Sequence, residues 1–129
     1  MNALVSTALN GNRLLELLPG EEYERLLPNL QWVHLPRGRV LCEAGDVAQY
    51  VYFPLNGVVS LLSSTEAGEV IEVGMVGNEG TTALPVIMHA REMPYRAVIQ
   101  VPVDALRTEP EVIQQELKKA GRLQNLLVC

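Results

Sequence analysis

The stretch Glu43-Ala-Gly-Asp-Val-Ala-Gln-Tyr-Val-Tyr-Phe-Pro-Leu-Asn-Gly-Val-Val-Ser-Leu-Leu62 constrains the fold most, because it sets two short strands between turn signals at close, regular intervals. Gly45-Asp46 supplies a residue free to take positive φ, Asn56-Gly57 reads as the closure of a hairpin, and Gly68 gives the same signal one strand later. That spacing predicts an antiparallel barrel or sandwich.

Strand patterning continues on both sides, roughly over 31 to 35, 39 to 42, 50 to 53, 58 to 63, 69 to 75 and 95 to 103. The last of these alternates most clearly. Tyr95, Ala97, Ile99, Val101 and Val103 share one face and Arg96, Val98 and Gln100 the other, the period of two of a half-buried strand. Pro102 argues for an edge position or a strand end, since it offers no N–H to a ladder.

Helices are expected at both ends of this β region. Asn12 can cap a short helix that buries Leu14, Leu15, Leu17 and Leu18 until Pro19-Gly20 stops it, and a second short helix carries Glu21 and Glu22 in its first turn. After the strands, Asp104 can cap one turn, and Thr108-Glu-Pro-Glu111 reads as a capping box that starts a longer helix near Glu109. Ile113, Leu117, Ala120, Leu123 and Leu127 then form a continuous apolar seam, interrupted only by the weak helix former Gly121. Such a seam packs either on its own barrel or against a second helix. The apolar, uncapped end at Leu126-Leu-Val-Cys129 leads to the expectation that the natural chain continues.

Composition narrows the function classes. With 129 residues the chain makes one domain, and with one Phe and one Trp its core must be filled by aliphatic side chains. Net charge is −5 and the only adjacent cations are Lys118-Lys119, so there is no basic stripe to hold a phosphate backbone, and no direct DNA binding is expected of these residues. Cys42 and Cys129 are two isolated thiols; a cysteine-ligated iron–sulfur cluster needs four. His34 and His89 have no second histidine nearby, which argues against a metalloenzyme barrel of the cupin type, and no serine or cysteine sits in a nucleophile elbow. With no secretory leader and no membrane-length apolar run, the expected location is the cytoplasm, without membrane attachment.

From about Asn12 to the C-terminus the chain resembles the effector-binding domain of the Crp/Fnr family of bacterial transcription regulators. The resemblance rests on Leu35-Pro-Arg-Gly-Arg-Val-Leu, Glu43-Ala-Gly-Asp, Tyr52-Phe-Pro-Leu-Asn-Gly-Val-Val, Val76-Gly-Asn-Glu-Gly and the helical tail after Asp104. It implies a mainly β fold, an antiparallel jelly roll (double-stranded β-helix) of the cyclic-nucleotide-binding type with short N-terminal helices and a C-terminal helix. The implied domain plan is a tail at 1–11, the jelly roll at 12–108, and the start of a dimerisation helix at 109–129. DNA contact would come through a winged-helix domain that these residues do not include. The implied partners are therefore a small-molecule effector and a second copy of the chain.

By the same resemblance, Val76-Gly-Asn-Glu-Gly-Thr-Thr82 stands where the family places its phosphate-binding cassette, with cyclic AMP or cyclic GMP as candidate ligands. Such a site needs glycines for close backbone approach, a carboxylate for ribose hydroxyls and an arginine for the phosphate. Gly77, Glu79, Gly80, Thr81, Thr82 and Arg96 are the residues assigned to it. The sequence departs from the family pattern in three places. Arg96 falls one residue late, Ala97 stands where a small hydroxyl residue is expected, and the segment from Thr82 to Pro94 is longer. Gly-Asn-Glu-Gly also reads as a plain polar turn between strands. Met75, Met88 and Met93 are either the lining of an adaptable apolar pocket or core filler. Two readings follow: a non-catalytic effector-sensing module with a degenerate or repurposed pocket, and a ligand-free jelly-roll scaffold for dimerisation.

Overall fold

Three layers stack in this fold, and the middle one organises the core. The computed structural model describes residues 11–18, 20–82, 85 and 90–118. The chain enters through helices α1 (Arg13–Glu16) and α2 (Gly20–Leu26), the second running into a 3-10 turn at Leu27–Asn29. The strands are β1 (Gln31–Leu35), β2 (Val40–Cys42), β3 (Val51–Pro54), β4 (Val58–Ser64), β5 (Val70–Val76), β6 (Arg96–Val101) and β7 (Val103–Thr108), after which α3 (Pro110–Lys118) leaves the sheet. β1-β7-β3 make one antiparallel sheet and β2-β6-β4-β5 the other. This is the antiparallel sandwich that the turn spacing predicts, and the mainly β jelly roll with helices at both ends that the family resemblance implies.

The three-stranded sheet is covered on both faces along β3 and much of β7. On one side Val51, Phe53 and Leu106 pack with Leu15, Leu18, Leu26, Leu27, Leu30 and Ile113 from the helical layer. On the other, Leu35, Tyr52, Val103 and Ala105 pack with Val59, Val76, Ala97 and Ile99 of the four-stranded sheet. β3 is buried at all four positions and so need not alternate in polarity, whereas β1, at the other edge, is exposed at Gln31, Trp32 and His34 and buried at Leu35. Ile113 is fully buried in its own chain's core, and Arg25 of α2 pairs with Glu116 of α3 at 3.1 Å. The first turn of the apolar seam therefore docks intramolecularly; the seam residues Ala120, Leu123 and Leu127, and Gly121, lie outside the described residues, as do Met88, His89 and Cys129.

Several local expectations are corrected. The segment 95 to 103 is two strands, since Pro102 breaks the ladder and the chain changes sheets there: Val101 pairs with Val58, whereas Val103 pairs with Leu35. A register shift between Val58 and Val59 leaves Val101 47% exposed, off the core face that Ala97 and Ile99 share. Asp104 caps no turn; it lies within β7. Asn56-Gly57 closes no hairpin, because β3 and β4 belong to different sheets. The capping box is not formed either. Thr108 is the last residue of β7, and its buried hydroxyl has no hydrogen-bond partner.

The loop between β3 and β4 is held by Asp104. Its N–H donates to Asn56 Oδ1 at 2.8 Å, Asn56 Nδ2 donates to Asp104 Oδ2 at 2.9 Å, and His34 Nδ1 lies 2.8 Å from Asp104 Oδ1. The hydrogen bond from Asn56, and after it that from His34, holds the Asp104 carboxyl below the usual carboxylate range. A carboxyl that ionises more readily in the folded state adds stability above its unfolded value of about 3.9, and that stability is lost as pH falls through the lower folded value. Asp104→Asn is accordingly expected to flatten the fall of the urea midpoint below about pH 4. Parallel acid limbs for variant and parent would show that the Asp104 cluster carries no such linkage.

Candidate functional site

The five candidates between Gly77 and Thr82 are built as a turn and a splice. Gly80 N–H donates to the Gly77 carbonyl at 3.2 Å, closing Gly77-Asn-Glu-Gly80 as a β-turn. Glu79 folds back so that its Oε1 accepts from Gly77 N–H at 3.1 Å. That carboxylate occupies the space beside Gly77: a Cβ built there would lie 2.7 Å from Glu79 Oε2. The space a side chain at Gly77 would take is thus filled by Glu79's own carboxylate.

The two threonines then stitch the loop to β3. Thr81 Oγ1 donates to the Tyr52 carbonyl at 2.8 Å, Thr82 N–H donates to the same carbonyl at 3.0 Å, and Tyr52 N–H donates to Thr82 Oγ1 at 2.9 Å. β3 is an edge strand, and these bonds occupy the free edge of Tyr52. From the other side, Asn12 Nδ2 donates to Gly80 O at 3.0 Å and to Pro54 O at 2.7 Å, while Arg13 N–H donates to Asn78 O at 2.8 Å. Gly77, Glu79, Gly80, Thr81 and Thr82 are thereby locked between α1 and β3.

Arg96 stands apart from them. Ala97 and Ile99 face the core, so strand alternation turns Arg96 outward, where its Nε lies 2.9 Å from Glu43 Oε1 and both side chains are about half exposed. Across β4, Arg96 is opposite Leu62 whereas Val76 is opposite Val59. Three residues of strand separate the two registers, about 10 Å. The guanidinium and the 77–82 loop are not brought together in this arrangement.

Other candidates fall into place. Met93 is buried and Met75 is 60% exposed, so the methionines that can be seen do not share a pocket. Cys42 is partly buried, and that burial, followed by the nearby Asp46 and Glu43 carboxylates, pushes its thiol pKa up, away from a reactive thiolate. Among the described residues no group of three or more His, Cys, Asp or Glu could hold a metal ion, and no helix is long and apolar enough to cross a membrane. Residues the sequence reading passed over are Tyr52, which anchors both threonines, and Glu43, which pairs with Arg96. Asn12 was read only as a cap. Its side chain does cap α1, accepting from Leu14 and Leu15 N–H at 3.1 and 3.2 Å, and the distant bonds to Pro54 and Gly80 carry no local sequence signal.

Comparison with known proteins gives this geometry a family. Residues 32–120 match the cyclic nucleotide-binding domain model. The chain is 31% identical over 94 residues to the Global nitrogen regulator of a Nostoc species, a match covering 71% of this chain and 42% of that protein, so the chain spans less than half the length of the curated relative. Among solved structures it is similar to the sensor domain of the transcriptional regulator DNR from Pseudomonas aeruginosa, with a TM-score of 0.74 and 19% identity over 97% of this chain and 82% of that one. The N-terminal domain of a transcriptional regulator from Streptomyces coelicolor A3(2) gives a TM-score of 0.71 at 21% identity, covering 94% and 85%. The match over residues 32–120 places this chain in the cyclic nucleotide-binding domain family, with a fold shared by these two regulators' N-terminal and sensor domains.

Proposed function

We propose that this chain is the non-catalytic effector-sensing module of a Crp/Fnr-like transcription regulator, and that the 77–82 loop is its ligand-contacting element. The observation that carries this reading is the Gly77–Glu79 arrangement, a carboxylate held on a backbone N–H at an exposed turn. In this reading the exposed Glu79 accepts from paired hydroxyls of the ligand, exchanging its bond with Gly77 N–H for them. A cyclic nucleotide is the candidate ligand class. Its phosphate requires Arg96 to leave Glu43, so binding is coupled to breaking an exposed ion pair, which costs little. The signal passes through β7 into α3, whose Ile113 and Glu116 already touch the helical layer, and on through the remaining seam to a second copy and to a DNA-binding domain.

Calorimetric titration with cyclic AMP and cyclic GMP tests this reading. The expected result is micromolar binding that Glu79→Ala weakens by about tenfold or more, the worth of hydrogen bonds to a charged group. Binding unchanged in Glu79→Ala removes the turn from the ligand contact. No binding of either nucleotide favours a second reading, the ligand-free dimerisation scaffold, which the structure supports through Thr81 and Thr82, whose hydroxyls already bond Tyr52.

A further inference from the structure

Two buried carboxylates in the helical layer stand within reach of a single arginine. Glu22 of α2 is 6% exposed and Glu116 of α3 is 7% exposed. Arg25 of α2 is turned to the second of them: its Nε donates to Glu116 Oε1 at 3.1 Å and lies 3.4 Å from Oε2. Glu22 enters none of the ion pairs among the described residues, and its Oε2 is buried with no hydrogen-bond partner. An acid oxygen buried in that condition is costly, and native proteins seldom keep one.

A partner for Glu22 lies one helical turn away. Residues three apart on a helix are neighbours, about 5–6 Å between Cβ atoms, and an acid placed N-terminal to a base is the favourable order. Glu22 and Arg25 stand in that relation on α2. The Arg25 side chain is 38% exposed, so it has room to turn. In the docked arrangement the guanidinium goes to α3 and Glu22 goes without. α3 itself is held differently along its length: Ile113 is fully buried in the core of the helical layer, whereas Glu116, about one turn later, is fastened by the arginine.

We propose that Arg25 is a two-position latch for α3. Paired with Glu116 it holds the helix on its own barrel; turned to Glu22 it releases the helix from Glu116 onward, with Ile113 as the pivot. Release exchanges one ion pair for another and relieves the unpartnered oxygen of Glu22, so the docked and released arrangements stay close in free energy and a small input shifts their populations. The latch belongs to the ligand-free chain and does not depend on the 77–82 loop binding anything. Its use as a relay rests on the reading of α3 as the output of the sensing module.

Native-state hydrogen exchange of the isotope-labelled full chain, followed by NMR with no added ligand, tests the latch. Glu22→Gln removes the competing carboxylate and keeps its shape. It is expected to slow exchange of the Gln115, Glu116 and Lys118 amides by about tenfold relative to the amides of β6. Glu116→Gln is expected to speed those amides by a similar factor while the Arg25 Nε–H stays protected, now by Glu22, and the double variant is expected to lose that protection. If Glu22 is merely a buried acid without a partner, Glu22→Gln raises the Tm and leaves the relative exchange of α3 unchanged, which overturns the latch. An Arg25 Nε–H as unprotected in Glu116→Gln as in the double variant overturns it as well, and the Glu116→Gln protein decides alone should Glu22→Gln fail to fold: loss of the Arg25 Nε–H protection there rejects the latch, and its retention supports it.

Discussion

Asn12→Ala is expected to lower the unfolding free energy by about 3 kcal/mol, far beyond an ordinary surface cap. The side chain is fully buried and all of its hydrogen-bonding atoms are engaged. Losing an N-cap alone costs about 1 kcal/mol. The rest comes mainly from the buried carbonyl of Pro54, which loses a donor at about 1–3 kcal/mol for a buried group left unpaired, with a smaller part from the partly buried carbonyl of Gly80. Urea unfolding checks the total, and Asn12→Ser separates the parts, since a serine can cap α1 but is too short to reach Pro54 and Gly80. The expected order of midpoints is parent, then Ser, then Ala. Equal midpoints for Ser and parent would mean that the long-range bonds contribute nothing.

Gly57→Ala is expected to be comparably severe. Gly57 has φ +73°, a conformation that costs an L-residue about 1 kcal/mol or more, and a Cβ there would run into the carbonyl oxygen of Pro102, with Pro102 C and Val101 O each 2.8 Å away. Those atoms are backbone at the crossing from β6 to β7, so they cannot rotate aside. Overpacking of this kind adds about 1–3 kcal/mol. Gly68 is the matched control, with φ +85° and nothing within 4 Å of a built Cβ. Thermal unfolding of the two alanine variants should show a small loss for Gly68→Ala and a loss two to three times larger, roughly, for Gly57→Ala. Equal losses would show that the Pro102 contact relaxes freely.

These two positions also mark how far the sequence could be read. Strands β1, β4 and β5 and the start of α3 lie close to where patterning puts them, because each is delimited by a turn or a proline whose chemistry is local. β7 was hidden for a physical reason. Val103, Ala105 and Leu106 are buried against two different layers, so no polar face gives a period of two. The Asn56-Gly57 signal was right about positive φ and wrong about a hairpin, since a tight turn does not say whether its flanking strands pair. In the candidate site, Gly77, Glu79 and Gly80 announce their turn, and strand parity already turned Arg96 away from the core. The partners that fix the loop, Asn12 and Tyr52, are remote from it in sequence, and no local pattern can report them.

The bonds from Thr81 and Thr82 to Tyr52 give the loop a role that is independent of any ligand. They cover the open side of β3, a strand whose other neighbour is β7. Exposed strand edges recruit other strands, and natural sheets guard against this. Drawing the 77–82 loop outward would break these three hydrogen bonds together and uncover the backbone N–H and carbonyl of Tyr52 on the edge of β3. Any movement of that loop therefore bears on how well the edge of β3 stays sealed against other strands.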